Sequence, residues 1–153
     1  MRRWLTILGA LTLLPPVSAL GCSCVNLTPE QRFVEAHAVF LARITSAYEV
    51  KKGASGGANH RDRVRAKFEL KETFKGSPSK LRYVETGYGG PDCGVELLVG
   101  STYLFYTNSV GETSRCNGSS FANLSNEDDR RFLQKLRSLS KSPPNPSLQS
   151  ERK

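Results

Sequence analysis

The sequence predicts a mainly β fold: five short strands closing into a small OB-type barrel, with one helix before them and one after. Three observations carry that expectation. Segments rich in β-branched and aromatic residues recur between Gly, Pro and Asn turn signals. One of them, Val64 to Lys71, alternates strictly between apolar and charged residues. Capped helical patterns stand at both ends of the set. Strand count alone also fits a β-sandwich.

Thr28-Pro29-Glu30-Gln31 opens the first helix. Thr28 caps it, Pro29 suits the first turn, Gln31 completes a capping box, and the helix should run to about His37. Ala38 to Val50 follows, too long and too apolar for an edge strand and therefore buried for much of its length. Lys51 to Arg63 is polar and Gly-rich, an exposed hairpin loop. Val64, Ala66, Phe68 and Leu70 then face inward while Arg65, Lys67, Glu69 and Lys71 face out. After a turn at Gly76-Ser77-Pro78 come a third strand over Leu81 to Thr86 and a loop, Gly87 to Asp92, that delivers Cys93. Thr102 to Thr107 is the fourth strand and Thr113 to Cys116 the fifth. Leu124 to Leu139 is the closing helix, capped by Ser125 or Asn126, with Phe132, Leu133, Leu136 and Leu139 on its apolar face. Residues 140–153 hold three prolines and no apolar pattern, which predicts a disordered tail.

Residues 1–21 read as an export signal. Arg2 and Arg3 precede an apolar run from Trp4 to Leu14, Pro15-Pro16 break it, and Ala19 and Gly21 are the small residues a signal peptidase inspects. Cleavage after Gly21 makes Cys22 the first residue of the mature chain. The rival processing, lipidation of Cys22, prefers an aliphatic residue where Ala19 stands and a small one where Leu20 stands. Removing a 21-residue leader from 153 residues leaves 132, which suits one domain over residues 22–139 plus the tail, and losing Arg2 and Arg3 takes the net charge from +8 to +6. The remaining Lys and Arg are spread along the chain, which fits a solvated surface and not a nucleic-acid groove.

All four cysteines lie behind the leader, an even number in an oxidising, secreted or periplasmic setting. Cys22 and Cys24 are too close for an easy mutual bond, so each pairs with Cys93 or Cys116, in one of two connectivities. In the chain-entropy account a bridge closing roughly 70 to 90 residues stabilises by about 4–5 kcal/mol. A zinc site built from the four sulfurs is the alternative that export argues against. No Ser/His/Asp set, carboxylate pair or phosphate loop is present, His37 reads as a surface or capping residue, and His60 lies in the hairpin loop, so the chain is not read as an enzyme. No cofactor is expected. Asn26, Asn117 and Asn123 each stand in a glycosylation triplet, and a glycan on Asn26 would obstruct the N-terminal end.

Cys22-Ser23-Cys24-Val25 behind the leader resembles the mature N-terminus of the tissue inhibitors of metalloproteinases. Pro29-Glu30-Gln31-Arg32-Phe33, Phe68-Glu69-Leu70-Lys71, Phe74-Lys75-Gly76, Cys93-Gly94, Tyr103-Leu104 and the hairpin ending at Cys116 continue the likeness in order. It covers Cys22 to Leu139, the extent of that family's N-terminal, netrin-like domain. The resemblance implies the OB-type barrel and the pairings Cys22–Cys93 and Cys24–Cys116. It also implies a protease-binding wedge made of Cys22, Ser23, Cys24, Val25 and Asn26 with Asp92, Cys93 and Gly94. The partner it implies is a zinc metalloendopeptidase, whose zinc the Cys22 amine and carbonyl would chelate in trans, and the setting is extracellular. No nucleic acid is implied, and no membrane unless Cys22 is lipidated. Two departures stand out. Val34 occupies the place of the first cysteine of a third disulfide, and Asp92 adds a charge beside the wedge. The alternative function is a non-inhibitory netrin-like module binding a polyanion or an envelope or matrix protein.

Overall fold

The structure, a computed structural model, describes residues 21–51 and 62–142. The leader and most of the hairpin loop and tail therefore lie outside the described residues. The elements are α1 (Pro29–Glu35), β1 (Ala38–Val50), β2 (Arg63–Lys75), β3 (Val84–Thr86), β4 (Thr102–Thr107), β5 (Ser120–Phe121) and α2 (Glu127–Lys141). The strands form one antiparallel sheet in the order β3-β2-β1-β4-β5.

β1 lies at the centre, and its first five residues are all buried, because both faces of the sheet are covered there. Val39 and Leu41 face one cluster with Phe33 of α1, Phe74, Leu104, Tyr106, and Leu133 and Leu136 of α2. Phe40, Ala42 and Ile44 face a second cluster with Ala66, Val84, Val95, Tyr103 and Phe105. Burying a side chain such as Phe40 stabilises by about 1.5–3 kcal/mol, and Phe40 is 0% exposed with rings of Phe68 and Phe105 at 5.2 and 5.4 Å. Register irregularities between Val39/Phe40, Leu41/Ala42 and Ile44/Ser46 bend the β1–β2 ribbon around this second cluster.

The sheet curls but does not close, against the expectation of a closed barrel. Its edge strands are too short to pair with each other: β3 has three residues and β5 two. The outer edge of β3 instead takes the chain after β4 through a single parallel bridge, Glu85 to Glu112. Glu85 N donates to Gly111 O (3.0 Å) and Thr113 N to Glu85 O (2.8 Å).

Other boundaries move for local reasons. α1 ends at Glu35, short of His37, because His37 N already donates to Thr107 O of β4 at 2.8 Å. The third strand begins only at Val84. Pro78–Lys80 forms a 3-10 turn that uses Leu81 N, so residues 81–83 are not in the ladder. Thr113 to Cys116 is not a strand. The Thr113 and Ser119 hydroxyls meet each other and Tyr106 O, which folds residues 114–118 into a turn and delays β5 to Ser120. α2 starts three residues late because Asn126 is the cap, its Oδ1 accepting from Asp128 N at 2.7 Å, and it extends to Lys141, into the segment expected to be tail.

Lys75 binds α1 to the sheet. Its Nζ donates to Phe33 O, Val34 O and Ala36 O at 2.8, 2.8 and 2.7 Å, three carbonyls left open by the helix end. Replacing it by Met strands those carbonyls. We expect Lys75→Met to cost about 1–3 kcal/mol in urea unfolding with the disulfides intact, and Lys71→Met, whose ion pair to Glu69 is exposed, to cost far less.

Ion pairs tie down α2. Arg137 grips Glu72 of β2 through Nε and Nη2 at 2.7 and 2.8 Å, and Lys135 reaches Glu30 of α1 at 2.7 Å. The Arg137 hydrogen bonds lower the Glu72 pKa below the ordinary 4.5, and the Lys135 hydrogen bond does the same for Glu30. A carboxylate with a lowered folded-state pKa stabilises fully above its unfolded value and loses that contribution as pH falls. Stability should therefore be flat above pH 4.5 and decline below it, with a shallower decline in Arg137→Met, as read by thermal unfolding across pH.

Candidate functional site

Residues 21–28 have no regular secondary structure, yet their path is set by two covalent bonds. Cys22 is joined to Cys93 and Cys24 to Cys116, with Cα atoms 5.1 Å apart in each pair. The bridges span 71 and 92 positions, so one short segment is fastened to two distant loops. All four sulfurs lie within 4.8 Å of one another and all are in disulfides, so none is a thiolate able to hold a metal. Ser23, Val25 and Asn26 are exposed, Val25 at 76%.

The Cys93 anchor sits in a tightly folded loop. Gly90–Asp92 make a 3-10 turn, and Cys93 follows with φ 57°, the one non-glycine residue with positive φ among those described. The Asp92 carboxylate organises the turn: it accepts from Tyr88 N (2.7 Å), Gly89 N (2.8 Å) and Gly94 N (2.9 Å). The charge expected to sit beside the wedge is therefore taken up by three backbone donors of its own loop. Gly87 and Gly94 cross at backbone contact: a Cβ on Gly94 would lie 2.2 Å from Gly87 C. Tyr88 donates its hydroxyl to Glu49 at the end of β1, and that hydrogen bond pushes the phenol pKa up to about 12. Val95 N donates to the buried Thr86 Oγ1 at 2.8 Å, which seats the outgoing chain on β3.

The Cys116 anchor is positioned by Asn117. Its Nδ2 donates to Tyr106 O of β4 at 2.7 Å, and its Oδ1 accepts from Ser114 N and Ser119 N, each at 3.3 Å. Arg115 N donates to Cys93 O at 2.9 Å, so the two anchors are also bonded to each other. Beneath them Glu85, 4% exposed, receives Arg65 Nε at 2.6 Å, and Arg63 lies between Glu85 and Glu112 at 3.8 and 3.5 Å.

The structure thus gathers Cys22, Ser23, Cys24, Val25, Asn26, Asp92, Cys93, Gly94 and Cys116 along one edge. Residues 20–130 match the sequence profile of the tissue inhibitor of metalloproteinase family. The chain belongs to that family. Metalloproteinase inhibitor 2 of Homo sapiens and that of Rattus norvegicus are each 33% identical over 114 residues, covering 73% of this chain and 51% of the relative. Metalloproteinase inhibitor 2 of Cavia porcellus is 32% identical over 110 residues, 71% of this chain and 48% of the relative. The chain spans about half the length of the curated relatives it matches.

Sequence reasoning passed over Thr86, Arg115 and Asn117 as supports of this family edge. Asn117 carried the nearest thing to a signal, an Asn-Gly turn pair directly after Cys116, but it was visible only as a glycosylation triplet. A sugar on its Nδ2 would take one of the two hydrogens and bring a bulky group to a half-buried atom 2.7 Å from Tyr106 O. Folded, secreted protein from a glycosylating host should be bare at Asn117 by glycopeptide mapping. Asn117→Ala should cost about 1–3 kcal/mol in denaturant unfolding, because a carbonyl and two amides lose their partner.

Proposed function

We propose that the mature chain inhibits zinc metalloendopeptidases by presenting Cys22 as a ligand for the protease's zinc. The family membership supports the class of activity. The observation that carries the mechanism is the double tether of Cys22 and Cys24, which leaves residue 22 at the end of a fixed, exposed edge. Cleavage after Gly21 frees the Cys22 α-amine. That nitrogen and the Cys22 carbonyl oxygen together form a five-membered chelate. A catalytic zinc keeps one position open for water and can become five-coordinate, so the amine would replace the water and the carbonyl oxygen would add the fifth ligand. Ser23 would enter the adjoining specificity pocket, where its small side chain limits which pockets it fills, and Val25 would add apolar contact. The disulfides hold this edge in one conformation before binding, so little ordering entropy is lost. Ligation requires the neutral amine, whose ordinary pKa is about 7.7–8.0.

The test is a quenched-peptide assay against a panel of zinc endopeptidases, using oxidised chain whose first residue is confirmed as Cys22 by intact mass. We expect stoichiometric slowing of at least one of them, and about a hundredfold weaker inhibition, equivalent to about 2.8 kcal/mol, when one alanine is added before Cys22. Acetylation of the amine should act the same way. Equal potency with and without the added alanine would sink the chelation mechanism.

A further inference from the structure

A second concave surface lies beside the wedge and shares none of residues 22–26. It is a cavity of about 600 Å³ between the last turn of α1, the chain before β4, β4, β5 and α2. Tyr103, Phe121, Phe132 and Leu98 supply its apolar wall. Phe121 and Leu98 are more than half exposed although both are large and apolar. Phe121 is held edge-on against the buried Tyr103 ring at 5.8 Å. The Tyr103 hydroxyl accepts from Leu98 N and donates to Glu96 O, each at 2.9 Å, so it fixes the shape of the rim.

Two guanidinium groups line the same cavity, Arg32 and Arg115. The Arg32 stem lies against Gly118, where a Cβ would come within 2.9 Å of Arg32 Cδ and 3.3 Å of Tyr106 Cε2. Arg32 Nε is buried and has no hydrogen-bond partner. That nitrogen is closed off inside the protein, so an outside acceptor can meet only the part of the Arg32 side chain that lines the cavity. Among the described residues neither guanidinium is in an ion pair, whereas Arg63, Arg65, Arg131 and Arg137 engage Glu85, Glu112, Glu127, Asp128 and Glu72. Glu96 is the single carboxylate in the lining, so the cavity carries net positive charge.

We infer that this cavity binds an acidic peptide segment of a partner protein, one in which an Asp or Glu stands beside a large apolar residue. The carboxylate meets the planar Arg32 and Arg115 forks, which match its geometry. The neighbouring apolar side chain packs between Phe121, Leu98 and Phe132. A cavity of this size with a few converging polar groups suits a few residues of peptide better than a lone ion.

The probe is acetyl-Phe-Asp-Leu-amide, titrated into the ¹⁵N-labelled oxidised mature chain and followed by NMR. Saturable shifts should appear at the Leu98, Arg115 and Phe121 amides, with the ridge amides of Ser23 and Val25 unmoved. The Asn counterpart of the peptide should bind at least about tenfold more weakly. Arg115→Gln and Arg32→Gln should each weaken the Asp peptide, while Arg32→Lys, which keeps the stem and charge, should retain part of the binding. Equal affinity for the Asp and Asn peptides, or no saturable shift, overturns the proposal. So does binding of octanoate where the peptide is silent, which would mark a site for small amphiphiles. Arg115 is exposed, so its variant stays informative even if Arg32→Gln fails to fold. The readout involves no protease, so it stands or falls apart from zinc ligation.

Discussion

Two sulfur–sulfur bonds do the work that secondary structure does elsewhere in this chain. Residues 21–28 have no ladder and no helix to hold them. Cys22 and Cys24 are fastened to positions 71 and 92 residues further along. A peptide this short would otherwise sample many conformations, and every partner would have to select one of them at an entropic cost. With both bonds in place, the residues between and just after the cysteines form an exposed ridge of known direction. The ridge is only as rigid as the loops that receive the bonds.

Those loops are held by polar groups that find their partners inside the structure. Asp92 gathers three amides around Cys93, and Asn117 gathers two amides and a carbonyl around Cys116. The Arg115 to Cys93 backbone bond joins the two receivers directly. Behind them β3 pairs with β2 and β4 with the central β1 strand, whose first half is buried from both sides, so a shift at one anchor would have to disturb closely packed aromatic rings. Lys75 and the pairs Glu30–Lys135 and Glu72–Arg137 then hold the helices against the other face. The ridge, the sheet and the helices form one connected support.

The same logic explains why the sheet remains open. Closure would require β3 and β5 to share a ladder, and with three and two residues they cannot. The Glu85 to Glu112 bridge takes the free edge of β3 instead, and Arg63 and Arg65 neutralise the buried Glu85 that results. The chain spends its residues after β4 on the turn that carries Cys116 and not on a longer fifth strand. The cavity of Tyr103 and Phe121 adjoins β5, one of the two edge strands.

Features set by local chemistry were legible in the sequence alone. The Thr28 capping box, the unbroken apolar run of β1, the alternation of β2 and the acidic start of α2 each depend on neighbours within a few positions, and each stands in the structure. The four cysteines behind an apolar leader also showed that the N-terminal end would be tied to distant loops. What depended on contacts far along the chain was not legible. The spacing of the cysteines left two pairings open, and the family likeness chose the one the structure shows; the bond from Asn117 to Tyr106 and the open edge of the sheet follow from groups brought together only on folding. An Asp in a glycine loop reads as a surface charge until Tyr88, Gly89 and Gly94 close around it. Those amides lie within four positions of Asp92, but the backbone contact of Gly87 with Gly94 that closes the loop is set by the fold, and no residue pattern records it.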